Sequence, residues 1–117
     1  MNLVNYTSTN SISFVSGSLA DGIPADSLRE IALDLRARSS KNVVALTSVV
    51  ESKVVLVVAV SEAARSTQLK AGALVKVASA ILGGGGGGKD DFAQGGGTDA
   101  TKISEAMKAI ELAIAGN

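Results

Sequence analysis

The sequence predicts an α/β domain. A small mixed β-sheet of three or more strands, at about 11–16, 43–50 and 54–60, carries helices at about 25–38, 71–82 and 99–115. Three observations point there. Two β-branched runs, Val43–Val50 and Val54–Val60, are separated only by Glu51-Ser52-Lys53 and are too rich in valine for helices. Three other stretches place apolar residues at helical spacing. Between the last two of these lies GGGGGGKDDFAQGGG, residues 83–97, which holds nine of the thirteen glycines.

The first ten residues are polar and rich in Asn, Ser and Thr, and read as the frayed N-terminal end of an excised fragment. Residues 11–117 form one domain. Ile12, Phe14 and Leu19 give a weak alternating strand, broken by Gly17 and Asp21-Gly22. Pro24 opens a helix in which Leu28, Ile31, Ala32 and Leu35 share a face; Arg29, Arg36 and Arg38 stand among acids and read as a solvated face, with a phosphate-contacting face as the alternative. A strand–helix–strand step of this kind makes the first two strands parallel, by a right-handed crossover. The two valine runs form a hairpin whose turn lacks the usual glycine. The second run is apolar on both faces, as a central strand covered on both sides requires. Ser61–Lys70 is a polar connection. Leu74, Val77, Ala78, Ile81 and Leu82 trace the next helix, closed by Gly83. Thr98 is placed to cap the last helix, with Asp99 in its first turn and Ile103, Ala106, Met107, Ile110 and Ile114 on one face.

The glycine stretch is either a linker or a backbone that something approaches closely. The charged and apolar insert Lys89–Gln94, with Phe92 as an anchor at its centre, favours an ordered loop. The G-x-x-x-x-G-K spacing of Gly83, Gly88 and Lys89 is not a P-loop: Asp90 stands where Ser or Thr should hold magnesium, and a helix precedes it instead of a strand. Two readings stay open. Bare amides beside Lys89, near the N-terminus of the final helix, could bind an anion; or the glycines only allow close backbone packing.

Composition narrows the chemistry. The 117 residues carry eleven basic and eleven acidic side chains, no histidine and no cysteine. That removes the catalytic triads, histidine acid–base chemistry and most zinc sites, so no catalytic residue, metal or cofactor is expected. No apolar run reaches membrane-spanning length, and nothing at the N-terminus reads as a signal peptide. Zero net charge is unlike a strongly basic nucleic-acid binder; RNA affinity would need a local patch.

Gly83–Gly88, Lys89, Ala93-Gln94 and Gly96-Gly97-Thr98-Asp99 resemble the glycine-rich signature near the C-terminus of bacterial alanyl-tRNA synthetases. Val49-Val50-Glu51-Ser52-Lys53-Val54 is similar to that family's hairpin turn, with Ser52 in place of its glycine, and Lys70-Ala71-Gly72 also matches. The resemblance implies a DHHA1-like fold and a cytoplasmic, non-catalytic C-terminal domain of an alanine-tRNA ligase. It implies that the domain contacts the outer corner of alanine-specific tRNA and helps link aminoacylation with editing. The partners so implied are that tRNA, upstream domains of the same synthetase, and a second copy in a homodimer. The residues expected to meet RNA are Lys89 and Gln94, with the amides of Gly84, Gly85, Gly86, Gly87 and Gly88; Lys70, Lys76 and Lys102 are weaker candidates. Two alternatives remain: the DHHA1 substrate-binding domain of a DHH-family phosphodiesterase, against which the missing histidine counts, and an oligomerisation module without RNA contact.

Overall fold

The computed structural model describes residues 4–9, 11–65 and 69–116. In chain order the elements are β1 (Val4–Thr9), β2 (Ile12–Ser18), α1 (Ala25–Ala37), β3 (Asn42–Val50), β4 (Lys53–Val60), the short α2 (Glu62–Arg65), α3 (Ala71–Ile81), β5 (Gly86–Gly88), β6 (Phe92–Gly97), a 3-10 turn (Ala100–Lys102) and α4 (Ile103–Ala115). The strands form one sheet in the order β1-β2-β3-β4-β6-β5. Only β2 and β3 are parallel; the other pairs are antiparallel.

The three expected strands and three expected helices are all present, and the sheet adds three strands. Val4–Thr9 is a strand paired with β2, where composition suggests a frayed end; residues 1–3 and 10 of that stretch lie outside the described residues. The glycine segment is a β-hairpin, not a loop: β5 and β6 pair with each other, and β6 pairs along β4. Part of the polar connection after β4 is the single turn α2.

The strand alternation divides the core between two faces. Val57 and Ala59 of β4 with Val44 and Leu46 of β3 meet Leu28 and Ala32 of α1. Val54, Leu56, Val58 and Val60 meet α3 and α4 through Leu74, Val75, Ala78, Ile110 and Ile114. β4 is therefore covered on both sides, as its unbroken apolar run requires. Two residues on expected apolar faces are exposed: Ile31 (36%) and Val77 (47%) lie at the margins of their helices' packing surfaces.

Buried polar groups fasten the connections. Ser48 Oγ donates to Ala20 O (2.8 Å) and accepts from Ile23 N (3.1 Å), tying the β2–α1 loop to β3. Asn42 Nδ2 donates to the C-terminal carbonyl of Leu35 on α1 (3.2 Å), and Asn42 N donates to Ser61 Oγ (2.8 Å). The β3–β4 turn is tighter than the spacing suggested. Val50 pairs with Lys53, leaving Glu51 and Ser52 as a two-residue turn with φ of 51° and 67°. That is the left-handed pair of a type I′ turn, held here without glycine.

Candidate nucleic-acid interface

The glycines are where they are because α3 lies directly on the β5–β6 ribbon. A Cβ on Gly95 would collide with Ser79 Oγ and come within 2.8 Å of Val75 Cγ1 of α3. One on Gly86 would strike Gly95 Cα of the neighbouring strand, and one on Gly97 would strike the Leu82 carbonyl. One on Gly72 of α3 would sit 2.9 Å from Gly88 O. The ribbon backbone meets α3 at the short side chains of Val75 and Ser79 and, at Gly72 and Leu82, at the helix backbone. Of the two readings that composition left open, close packing accounts for these positions.

The hairpin tip is held from several sides. Lys89 N donates to Phe92 O (3.0 Å), which leaves Asp90-Asp91 as the turn. The first amides of α3 reach down to it: Ala71 N donates to Asp90 O (2.9 Å) and Gly72 N to Lys89 O (3.0 Å). Val60 N donates to Asp91 O (2.9 Å), and Arg36 Nη1 of α1 donates to the same carbonyl (3.0 Å). The backbone of Lys89 is pinned while the residue stays exposed to solvent.

These bonds correct the expected anion site. Lys89 stands at the N-terminus of α3, not of α4, and the α3 amides are already satisfied by the tip carbonyls. The start of α4 lies at the far end of β6, six residues or about 20 Å away. There Thr98 is not the cap: Thr98 N and Asp99 N both donate to Leu82 O (3.0 Å each). Asp99 caps the 3-10 turn that leads into α4, its carboxylate accepting from Thr101 N (3.0 Å) and from the Thr101 hydroxyl. The Thr101 hydroxyl bond holds this carboxyl below its ordinary value, outweighing the opposing desolvation, with lesser help from the Thr101 amide and Lys102.

A cleft of about 290 Å³ opens on the α1 side of the ribbon, lined by Arg29, Gly87, Gly88, Lys89, Asp91, Phe92, Ala93 and Gln94. It exists because α1 covers β3 and β4 but stops short of β5. Phe92 is half-buried against the α1-side core, and the Arg29 guanidinium carbon sits 5.0 Å from its ring centroid. The cleft thus joins Lys89, Gln94, Gly87 and Gly88. Lys76 flanks it, its Cε 3.8 Å from the position of a Cβ on Gly87. Lys70 precedes the α3 amides that dock on the tip. Gly84, Gly85 and Gly86 do not line it: Gly84 N closes α3 on Ser79 O (2.9 Å), and Gly86 lies against Val75. Lys102 is at the opposite end of the sheet, 3.4 Å from Glu105. Arg29 and Arg36, which the sequence offers as part of a solvated face or of a phosphate-contacting one, belong to this region because α1 lies beside the hairpin.

Charge is segregated along the strands. The ends where β3 and β6 begin and β4 finishes carry Arg36, Arg38, Lys41, Arg65, Lys70 and Lys89, with Asp34, Glu62, Asp90 and Asp91 among them. The opposite ends carry Asp21, Asp26, Glu51 and Asp99 with Lys53 and Lys102. Zero net charge conceals a basic end, and the hairpin tip is on it. A second cleft of about 650 Å³ lies at the same end, between α1 and α2, with Arg36, Ser61, Glu62 and Arg65 on its walls. Among the described residues no helix is long and apolar enough to cross a membrane.

The fold is a mixed sheet covered by α1 on one face and by α3 and α4 on the other, with a glycine ribbon under α3. The DHHA1 domain profile matches residues 11–116, and the chain belongs to the DHHA1 domain family. Within that family it is of the alanyl-tRNA synthetase C-terminal type. It is 58% identical over 93 residues to the alanine–tRNA ligase of Paenarthrobacter aurescens (strain TC1), covering 78% of this chain and 10% of that protein. With the alanine–tRNA ligase of Thermobifida fusca (strain YX) it shares 45% identity over 106 residues, 88% of this chain and 12% of that protein. The chain therefore spans about a tenth of the length of the curated relatives it matches. The crystal structure of the C-Ala domain from Aquifex aeolicus alanyl-tRNA synthetase superimposes with a TM-score of 0.89 at 30% identity, over 96% of this chain and 99% of that one. A DHH-domain structure described as belonging to a family of ribosomal proteins matches with a TM-score of 0.66 at 16% identity, over 97% of this chain and 28% of that one, a likeness of fold alone.

Proposed function

We propose that this domain serves a cytoplasmic alanyl-tRNA synthetase as a non-catalytic tRNA-binding module, contacting the outer corner of alanine tRNA through the basic end of its sheet. In that role it helps bring aminoacylation and editing, carried out by upstream domains of the same synthetase, onto one tRNA. A second copy is a further partner. The likeness to the C-Ala domain over nearly the whole of both chains carries the reading. The geometry supports it with a pinned hairpin tip, exposed Lys89, Gln94 on the open face of the ribbon, and Lys70 and Lys76 at its flanks. Backbone shape and phosphates are what a side-chain-poor ribbon with scattered cations can engage.

The test is a fluorescence anisotropy titration of the domain with full-length alanine tRNA and with its acceptor minihelix, at low and moderate salt. Binding to the full tRNA alone, with a slope of about 0.7–0.9 in log affinity per phosphate contact, is expected. Equal binding to both RNAs, or none to either, would overturn corner recognition by this domain.

A further inference from the structure

We infer that the cleft between Arg29 and the glycine ribbon receives one exposed nucleobase of the RNA, stacked on the Arg29 guanidinium; this rests on the RNA-binding reading above. The cleft is small, about 290 Å³, which suits one planar heterocycle and little more. Its floor is the ribbon itself, with Gly87, Gly88 and Ala93, so nothing bulky rises from it to obstruct a flat ring. On one wall the Arg29 guanidinium already lies over the Phe92 ring, at 5.0 Å. A base on its outer side extends that pair into a stack of ring, guanidinium and base, the mode in which arginine planes and bases meet in unpaired RNA.

The polar groups around the cleft fit a base better than a phosphate. Asp91 lines it alongside Lys89, and its negative charge beside the cleft opposes a second anion. The Asp91 carboxylate can accept from the amino and imino groups of a base edge, and the Gln94 amide can meet its carbonyl groups as well. Lys89, at the rim, is left for the phosphate of the same nucleotide. Phe92 supports the arrangement from beneath, its other side packed on the α1-side core. The sheet topology builds this place: α1 covers β3 and β4, Phe92 is half-buried at the margin of that cover, and Gln94 beyond it is exposed.

The experiment uses full-length alanine tRNA assembled with single 2-aminopurine substitutions in its D- and T-loops, titrated with the intact domain and with Arg29→Lys. Lysine keeps the charge and loses the plane. In the wild type, one probe position should change in fluorescence on binding. In Arg29→Lys that change should vanish and affinity should fall between about 5-fold and 100-fold, the range of one lost stacking contact, while the salt slope stays the same. Arg29 is exposed, so the variant should melt as the wild type does, which thermal denaturation checks. Phe92→Leu should weaken the probe response without abolishing RNA binding. If tRNA binds but no position responds, or Arg29→Lys keeps both response and affinity, the base site is wrong and the RNA reading stands. If the domain binds no tRNA at all, both fall.

Discussion

Replacing Gly95 by alanine adds one methyl group between two surfaces that have no room for it. The added carbon would collide with Ser79 Oγ, approach Val75 Cγ1 to 2.8 Å and reach Gly85 O at 3.0 Å. An optimal carbon–carbon contact is about 3.5 Å or more, so Val75 must retreat by about 0.7 Å. It has little freedom to do so. Val75 and Ser79 are fully buried, and α3 is tied down at both ends: Ala71 and Gly72 bond to the hairpin tip, and the Leu82 carbonyl holds Thr98 and Asp99. Overpacking in such a setting costs about 1–3 kcal/mol. For a domain of this size that is a fall in Tm of roughly 4–15 °C. Gly85 is the control, since a Cβ there meets nothing within 4 Å and its φ is ordinary. Gly85→Ala should be neutral or should stabilise by about 0.4–1 kcal/mol, because it restricts the unfolded chain. Urea and thermal unfolding followed by far-UV circular dichroism measure both. Equal stability of Gly95→Ala and Gly85→Ala would refute the claim that the glycines exist for close packing under α3.

Other consequences are as direct. Lys89→Ala should weaken tRNA binding several-fold and reduce the salt slope by about one contact with no change in Tm, since only the Lys89 backbone is structural; Lys102→Ala, at the other end of the sheet, should leave binding unchanged in the same titration. Because folding lowers the Asp99 carboxyl, its contribution is present above the unfolded pKa near 3.8 and is lost as pH falls through the lower folded value. Asp99→Asn keeps a capping side chain that does not titrate, so Tm should decline less between about pH 4 and pH 2 than in the wild type. Ser52→Gly should raise stability by about 0.5–1 kcal/mol, since Ser52 holds φ of 67° in a turn that favours glycine; an unchanged or lower urea midpoint would count against strain there.

Much of the fold is visible in particular residues. Valines on both faces of Val54–Val60 demand a strand covered on two sides, and β4 is such a strand. The helical spacing of Ile103, Ala106, Ile110 and Ile114 marks the buried stripe of α4. These signals survive because burial acts on each side chain locally, and the period of burial is written in the chain. The glycine motif and its Gly-Gly-Thr-Asp ending likewise suffice to indicate the family.

Residues 83–97 show where that legibility stops. Glycine has no side chain to alternate, so a strand made of it carries no period, and β5 and β6 are recognisable only once β4 offers an edge to pair with and α3 a surface to lie against. The polar strand β1 is hidden for the related reason that its pairing with β2 rests on backbone hydrogen bonds and not on an apolar face. The candidate site depends most on tertiary structure. Arg29 and Phe92 are 63 positions apart in the chain, and nothing at either position announces the other. The α/β class, the central strand, the helices and the family follow from patterning along the chain. Tertiary structure alone decided that the glycines are a ribbon under a helix, that charge gathers at one end of a neutral chain, and which side chains share a cleft. Local patterning records what each residue needs to bury; it does not record which distant residue will arrive beside it.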